Sequence, residues 1–266
     1  RKHLADSISF AQTQELKEIE HNTKLEKEQS QRYVLYAGVG FLLILGAAMF
    51  RGYYRKRKDN IIITKQKTEV EHQKLLVEEK NQEILDSITY AKRIQSAILP
   101  PDKLVKEYLQ KSFILYKPKD IVAGDFYWME HAKDMVLFAA ADCTGHGVPG
   151  AMVSVVCNNG LNRSVREHGL TDPGEILTKT REIVVQEFEK SEEDVKDGLD
   201  VALCALKGNT LYYAGAHNPL WIIRSGVEEI EEIKADKQPI GKTDNPTPYT
   251  THKIDLNPGD TIYIFS

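Results

Sequence analysis

Cysteine is scarce in this chain: Cys143, Cys157 and Cys204 are the whole complement, and no two of them form a CxxC pair. An odd, scattered set excludes a secreted disulfide scaffold and points to a reducing compartment. Cys157 and Cys204 are expected as small buried apolar residues. A basic field is also lacking. The formal net charge is −4, and the one dense basic run, Arg51 through Lys58, is short, so nucleic acid is excluded as a partner. Proline is missing before Pro100, which leaves nothing there to interrupt a helix. From Pro100 onward Gly, Pro, aromatics and β-branched residues appear together, as a globular core requires.

The charged, Gln-rich N-terminal part is broken by one apolar run, Tyr33 to Phe50, which contains no charged residue. At about 1.5 Å per residue such a run spans roughly the hydrocarbon core of a bilayer. A buried core helix would be equally apolar, and the flanks decide between the two. Arg32 closes one end, while Arg51, Arg55, Lys56, Arg57 and Lys58 crowd the other, with Tyr53 and Tyr54 at the interface. That asymmetry places the C-terminal side of a single-pass membrane protein in the cytoplasm. The charged residues before the run do not suit a cleavable signal peptide. Residues 1–32 are polar, helix-prone and too few for a domain, so they are expected to be the helical end of a larger extracytoplasmic sensor region. This helix–membrane–stalk arrangement resembles the one that follows tetratricopeptide repeats.

Residues 51–99 combine the basic flank with a heptad series. Ile63, Val70, Val77, Ile84, Ala91 and Ile98 are spaced by seven, and the companion position reads Asn60, Lys67, Lys74, Asn81, Ile88 and Gln95. A polar-studded seam of this kind fixes register without much stability. It is read as a parallel coiled-coil linker that makes the protein a homodimer, the other reading being a solitary solvated helix. Leu99-Pro100-Pro101 ends the helix and begins the next domain.

Residues 100–266 change to short β-rich runs. Candidate strands are Phe113–Tyr116, Met135–Ala140, Val201–Leu206, Leu211–Gly215, Trp221–Arg224, Thr250–Ile254 and Thr261–Phe265. One helix is expected from Val148 to about Arg166. A second starts at Asp172-Pro173-Gly174-Glu175, where Asp is the N-cap, Pro the first helical residue and Glu the third. Strands, then helices, then strands again indicate an α+β layered domain. Two motifs stand out, Gly124-Asp125-Phe126-Tyr127-Trp128 and Ala140-Ala141-Asp142-Cys143-Thr144-Gly145-His146-Gly147-Val148-Pro149-Gly150-Ala151-Met152. In the second, an apolar strand ends on an Asp, passes through glycines and opens into a helix. A carboxylate placed there can reach a hard cation while the backbone oxygens of the turn approach it too. Asp125, on a neighbouring strand, could share that ion or bridge two. Paired metals suit phosphate-ester hydrolysis. Each residue has a plainer role as well: Asp142 in an Asx turn, Gly145 and Gly147 as positive-φ residues, His146 as a turn residue, Trp128 in the core.

GDFYW, ADCTGHGVPGAM, AGAHNPLWIIR and NPGDTIYIFS, in that order, resemble the motifs of the bacterial PPM-type protein phosphatases of the stage II sporulation protein E class. The resemblance covers nearly all of residues 95–266. It implies two stacked antiparallel β-sheets flanked by helices and a metal-dependent serine/threonine phosphatase. It implies Asp125 and Asp142 as the catalytic metal-binding carboxylates, the main-chain carbonyl of Cys143 as a further ligand, and two Mn2+ or Mg2+ ions that activate a water. His146 and Gly145 are secondary candidates, and no substrate-binding residue is assigned. Cys143 is not expected as a nucleophile, since no nearby Arg and anion-binding loop accompany it. His217 and Asn218 match a turn of the family and are read as a hydrogen-bonded hairpin. Asp197-Gly198-Leu199-Asp200 resembles a metal-binding Asp-Gly pair but is read as a loop and the start of a strand.

In the family, the strand matched by Thr261–Phe265 runs into another Asp-Gly. The chain begins with Arg1 and stops at Ser266, so it is expected to be a fragment at both ends, with the phosphatase domain C-terminally incomplete. The leading expectation is a membrane-anchored signalling phosphatase acting on a phosphorylated regulatory protein, an anti-sigma-factor antagonist being one candidate. The alternative is a phosphatase-like module that binds a phosphoprotein without hydrolysing it. A nucleotide cyclase has little support, because no triphosphate-cradling motif appears.

Overall fold

The computed structural model of the chain describes residues 2–190 and 197–266; the side chains of residues 2–9, 11 and 12 lie outside that description. The chain divides into two units, Arg1–Glu79 and Lys80–Ser266. The described residues of the first are helical, being the larger part of α1 (Lys2–Ile98). With no proline to break it, the helix carries on through the apolar run, and Val34, Leu35, Phe41, Leu42, Ile44 and Phe50 are all exposed on its surface. By length and composition the helix can cross a membrane. The heptad residues Ile63, Val70 and Val77 are exposed as well.

The second unit begins with the end of α1, which Leu99-Pro100-Pro101 terminates as expected, and continues with α2 (Asp102–Tyr108). Then come β1 (Phe126–Ala132), β2 (Met135–Cys143), α3 (Gly147–Arg166), α4 (Pro173–Phe188), β3 (Leu199–Lys207), β4 (Thr210–Ala216), β5 (Leu220–Ile223), β6 (Ile230–Ile233), β7 (His252–Asp255) and β8 (Thr261–Ile264). Among the described residues, five strands form one antiparallel sheet in the order β1-β2-β3-β4-β7, and three form another in the order β6-β5-β8. This is the layered α+β arrangement read from the sequence.

Alternation explains the layering. In β3, Val201, Leu203 and Ala205 join the core made with Cys157, Leu161, Ile176 and Val184 of α3 and α4. The intervening Ala202 and Cys204 join a second core with Tyr213, Leu220 and Ile222, between the two sheets. A strand buried on both faces reads as the unbroken apolar run VALCAL. Cys157 and Cys204 are fully buried, as expected. The start of α4 also follows the sequence: Asp172 accepts from the Glu175 amide at 3.1 Å, with Pro173 at the first turn.

Two expectations need correction. Phe113–Tyr116 is not a strand; it pairs with no ladder, and Phe113 and Leu115 remain exposed. Side chains hold it instead, through the Tyr116 hydroxyl on the Asp125 carbonyl at 3.1 Å and an edge contact of Tyr116 with Tyr127. Gln95, counted in the stalk seam, is 5% exposed and turned into the domain.

Candidate metal centre

The end of β2 and the start of β1 meet in a cluster of glycines. A Cβ on Gly124 would lie 2.7 Å from the Gly145 carbonyl and 2.8 Å from the Cys143 carbonyl, so only glycine lets the strand start come that close to the turn. Gly145 (φ +88°) and Gly147 (φ +62°) take the left-handed conformations that reverse the chain into α3. Thr144 pins the turn from the other side, its amide donating to the Gly198 carbonyl at 3.0 Å. A residue two positions before Asp125 is pinned as well. Gln95 donates to the Ala123 carbonyl at 2.5 Å and to Ser154 of α3 at 2.9 Å, and accepts from the Ala123 amide at 3.1 Å.

Register then brings the carboxylates together. Phe126 pairs with Ala141, so Asp125 stands beside Asp142 one step further along. Asp125 is half-buried, and its pKa is pushed up to about 6, first by burial and then by the hydrogen bond and negative charge of Asp142. Two carboxylates so placed must share either a proton or a cation. The donor set, two carboxylates with the Cys143 carbonyl beside Gly124, is all hard oxygen and suits Mg2+ or Mn2+, ions that retain waters. Among the described residues no three His, Cys, Asp or Glu side chains close around one point, so these residues fit a partial coordination shell. The Cys143 side chain points away into the core. Its hydrogen bond with Cys157 and its burial push the thiol far above its ordinary range, which agrees with its exclusion as a nucleophile.

His146 lies outside this pair. It is largely exposed, and its Nδ1 meets Asp120 Oδ2 at 3.2 Å. Gly145 contributes its conformation and its carbonyl to the turn. Asp200, read as the start of a strand, does occupy that place, and the register adds what the sequence lacked: Asp142 and Asp200 are direct cross-strand partners. His217 Nδ1 in turn meets Asp200 Oδ1 at 2.8 Å. No spacing rule could have revealed this row, because its members come from four separate segments.

Comparison with protein families matches residues 132–266 to the family described as Stage II sporulation protein E (SpoIIE). Among solved structures, the chain is similar to the SiaA-PP2C domain of Pseudomonas aeruginosa at 33% identity and a TM-score of 0.60, over 69% of this chain and 72% of that one. It also matches the PP2C phosphatase domain with a fragment of the regulatory domain of SpoIIE from Bacillus subtilis, at 20% identity and a TM-score of 0.41, over 52% of this chain and 39% of that one. A comparison with curated proteins returns no match.

Proposed function

The chain belongs to the SpoIIE family of PP2C-type serine/threonine phosphatases, and from that premise we propose that it is a membrane-anchored signalling phosphatase that hydrolyses phosphoserine or phosphothreonine on a regulatory protein. The observation that carries the reading is the Asp125–Asp142 pair, two adjacent carboxylates at a strand end with main-chain oxygens beside them. With Mn2+ or Mg2+ bound, the site would supply an activated water and charge neutralisation for the phosphoryl oxygens. Asp125, Asp142 and the Cys143 carbonyl would hold the ion. The glycine cluster fixes where the two strand ends stand, and the burial of Asp125 raises the gain from a cation over solvent.

The proposal extends to the N-terminal part. Tyr33–Phe50 would anchor the chain in the membrane, and the exposed heptad stripe would pair with a second copy as a coiled-coil stalk. An anti-sigma-factor antagonist is one substrate of the right kind, a phosphorylated regulator. The test is Mn2+-dependent release of phosphate from a phosphoserine peptide by the full-length protein. Asp142→Asn is expected to abolish release and Mn2+ binding together; a variant that keeps its activity refutes the ligand assignment. Phosphopeptide binding without release by the native protein would favour a non-hydrolysing signalling module instead.

A further inference from the structure

Continuing the pairings Phe126–Ala141, Asp142–Asp200 and Val201–Ala216 by one step sets Asp125, Asp142, Asp200 and His217 in a row across four strand ends. All four have the alternation parity of Ala202, Cys204 and Tyr213, so they share the face turned toward the second sheet. The first two are the candidate cation ligands. The second two form a carboxylate–imidazole pair, half exposed at 38% and 42% of their side-chain surfaces.

We infer that His217, oriented by Asp200, is the catalytic residue that donates a proton to the departing serine or threonine oxygen. The inference rests on the phosphatase reading above. An ionised carboxylate can only accept, so Asp200 fixes the proton on Nδ1 of His217 and leaves Nε2 for the substrate. From Asp142 to His217 the backbone gap is two strand spacings, about 10 Å. Asp200 stands on the strand between them, and a phosphate monoester bound over that face would lie between the Asp142 carboxylate and Nε2 of His217. Water, losing a proton to solvent, attacks phosphorus as the bond to the serine oxygen breaks. The bond pair goes to that oxygen, which takes the Nε2 proton of imidazolium; neutral imidazole, still bonded to Asp200, is reprotonated from solvent. Atoms and charge balance without a further reactant.

The backbone agrees with a demand beyond the turn itself. His217 sits at φ +58°, where glycine or asparagine would serve a plain hairpin at less cost. Its amide donates to the Asp236 carbonyl at 3.0 Å, and the Asp236 amide returns to the Gly215 carbonyl at 3.0 Å, so the strained residue is held on both sides. The other imidazole near the centre, His146, is 80% exposed and pairs with Asp120 outside any strand, so no ladder fixes its position relative to Asp142.

Leaving-group dependence tests the inference in the full-length protein with Mn2+. A serine alkoxide needs a proton to leave, whereas p-nitrophenolate does not. For His217→Gln, kcat on a phosphoserine peptide is expected to fall by about 100-fold or more, while kcat on p-nitrophenyl phosphate and Mn2+ affinity by calorimetry stay near the native values. Asp200→Asn should show the same selectivity more weakly, and it provides a second variant should the first misfold. Equal loss on both substrates, loss of Mn2+ binding, or an unchanged phosphoserine rate would overturn the assignment. So would the same selectivity appearing in His146→Gln instead. If the native protein hydrolyses neither substrate, the phosphatase reading itself fails, and this inference with it.

Discussion

Replacing Asp142 by Asn should make the cation-free protein more stable at neutral pH while removing its response to metal. Asp125 rises from 3.8 to about 6, with burial as the first cause and Asp142 as the next. Two units correspond to roughly 3 kcal/mol at most. Burial survives the substitution, and Asp125 is only half-buried, so solvent screening reduces the recoverable part to about 0.5–1 kcal/mol. The sign follows from the direction of the shift. A carboxyl whose folded pKa is raised gives its full stability below the unfolded value near 3.8 and loses it as pH climbs through about 6. Native protein in chelator should therefore lose stability between pH 4 and pH 7, and Asp142→Asn should lose less.

Urea denaturation in EDTA at these two pH values measures this. The variant should exceed the native protein by about 0.5–1 kcal/mol at neutral pH and match it at the acidic end. Mn2+ at 100 times its dissociation constant should then add about 2.7 kcal/mol to the native protein and nothing comparable to the variant. A variant that is less stable in EDTA at neutral pH, or that gains as much from Mn2+, refutes the picture of two carboxylates waiting for a cation.

Gln95→Ala removes three hydrogen bonds and leaves the Ala123 amide and carbonyl without their partner; it should cost about 2–3 kcal/mol in urea denaturation. It should also weaken Mn2+ binding in calorimetry, since Ala123 stands two residues before Asp125. Gly124→Ala would drive a methyl to within 2.8 Å of the Cys143 carbonyl. Its signature is a loss of Mn2+ affinity larger than its loss of stability, measured on the same sample.

The helices and the buried strands were legible because each carries its own signal. Asp172-Pro173 starts α4 as written, and the all-apolar run in β3 can only sit between two layers. Phe113–Tyr116 shows the opposite case. Its residues suit a strand, yet a strand exists only through a partner, and the partner is not encoded in the segment. β1 was expected only as an unbounded strand at Asp125, for the complementary reason: its sequence, FYWMEHA, mixes aromatic, charged and small residues, and its pairing with β2 supplies the order. Gln95 satisfied a heptad spacing that is blind to what lies across from it.

The candidate site divides along the same line. Asp125 and Asp142 were visible because each is embedded in a dense local motif. Asp200 and His217 acquire meaning only from register, which is a two-strand property. A slip of one residue between β2 and β3 would turn one of Asp142 and Asp200 toward the helices. Because β3 is apolar on both faces, hydrophobicity alone does not forbid that slip; the fit of Val201 and Leu203 against the helices and of the smaller Ala202 and Cys204 between the sheets enforces the alignment of the polar row. The cores between sheet and helices and between the two sheets are therefore what positions the chemistry. Substitutions deep in β3 should then disturb the His217–Asp200 pair without touching either residue.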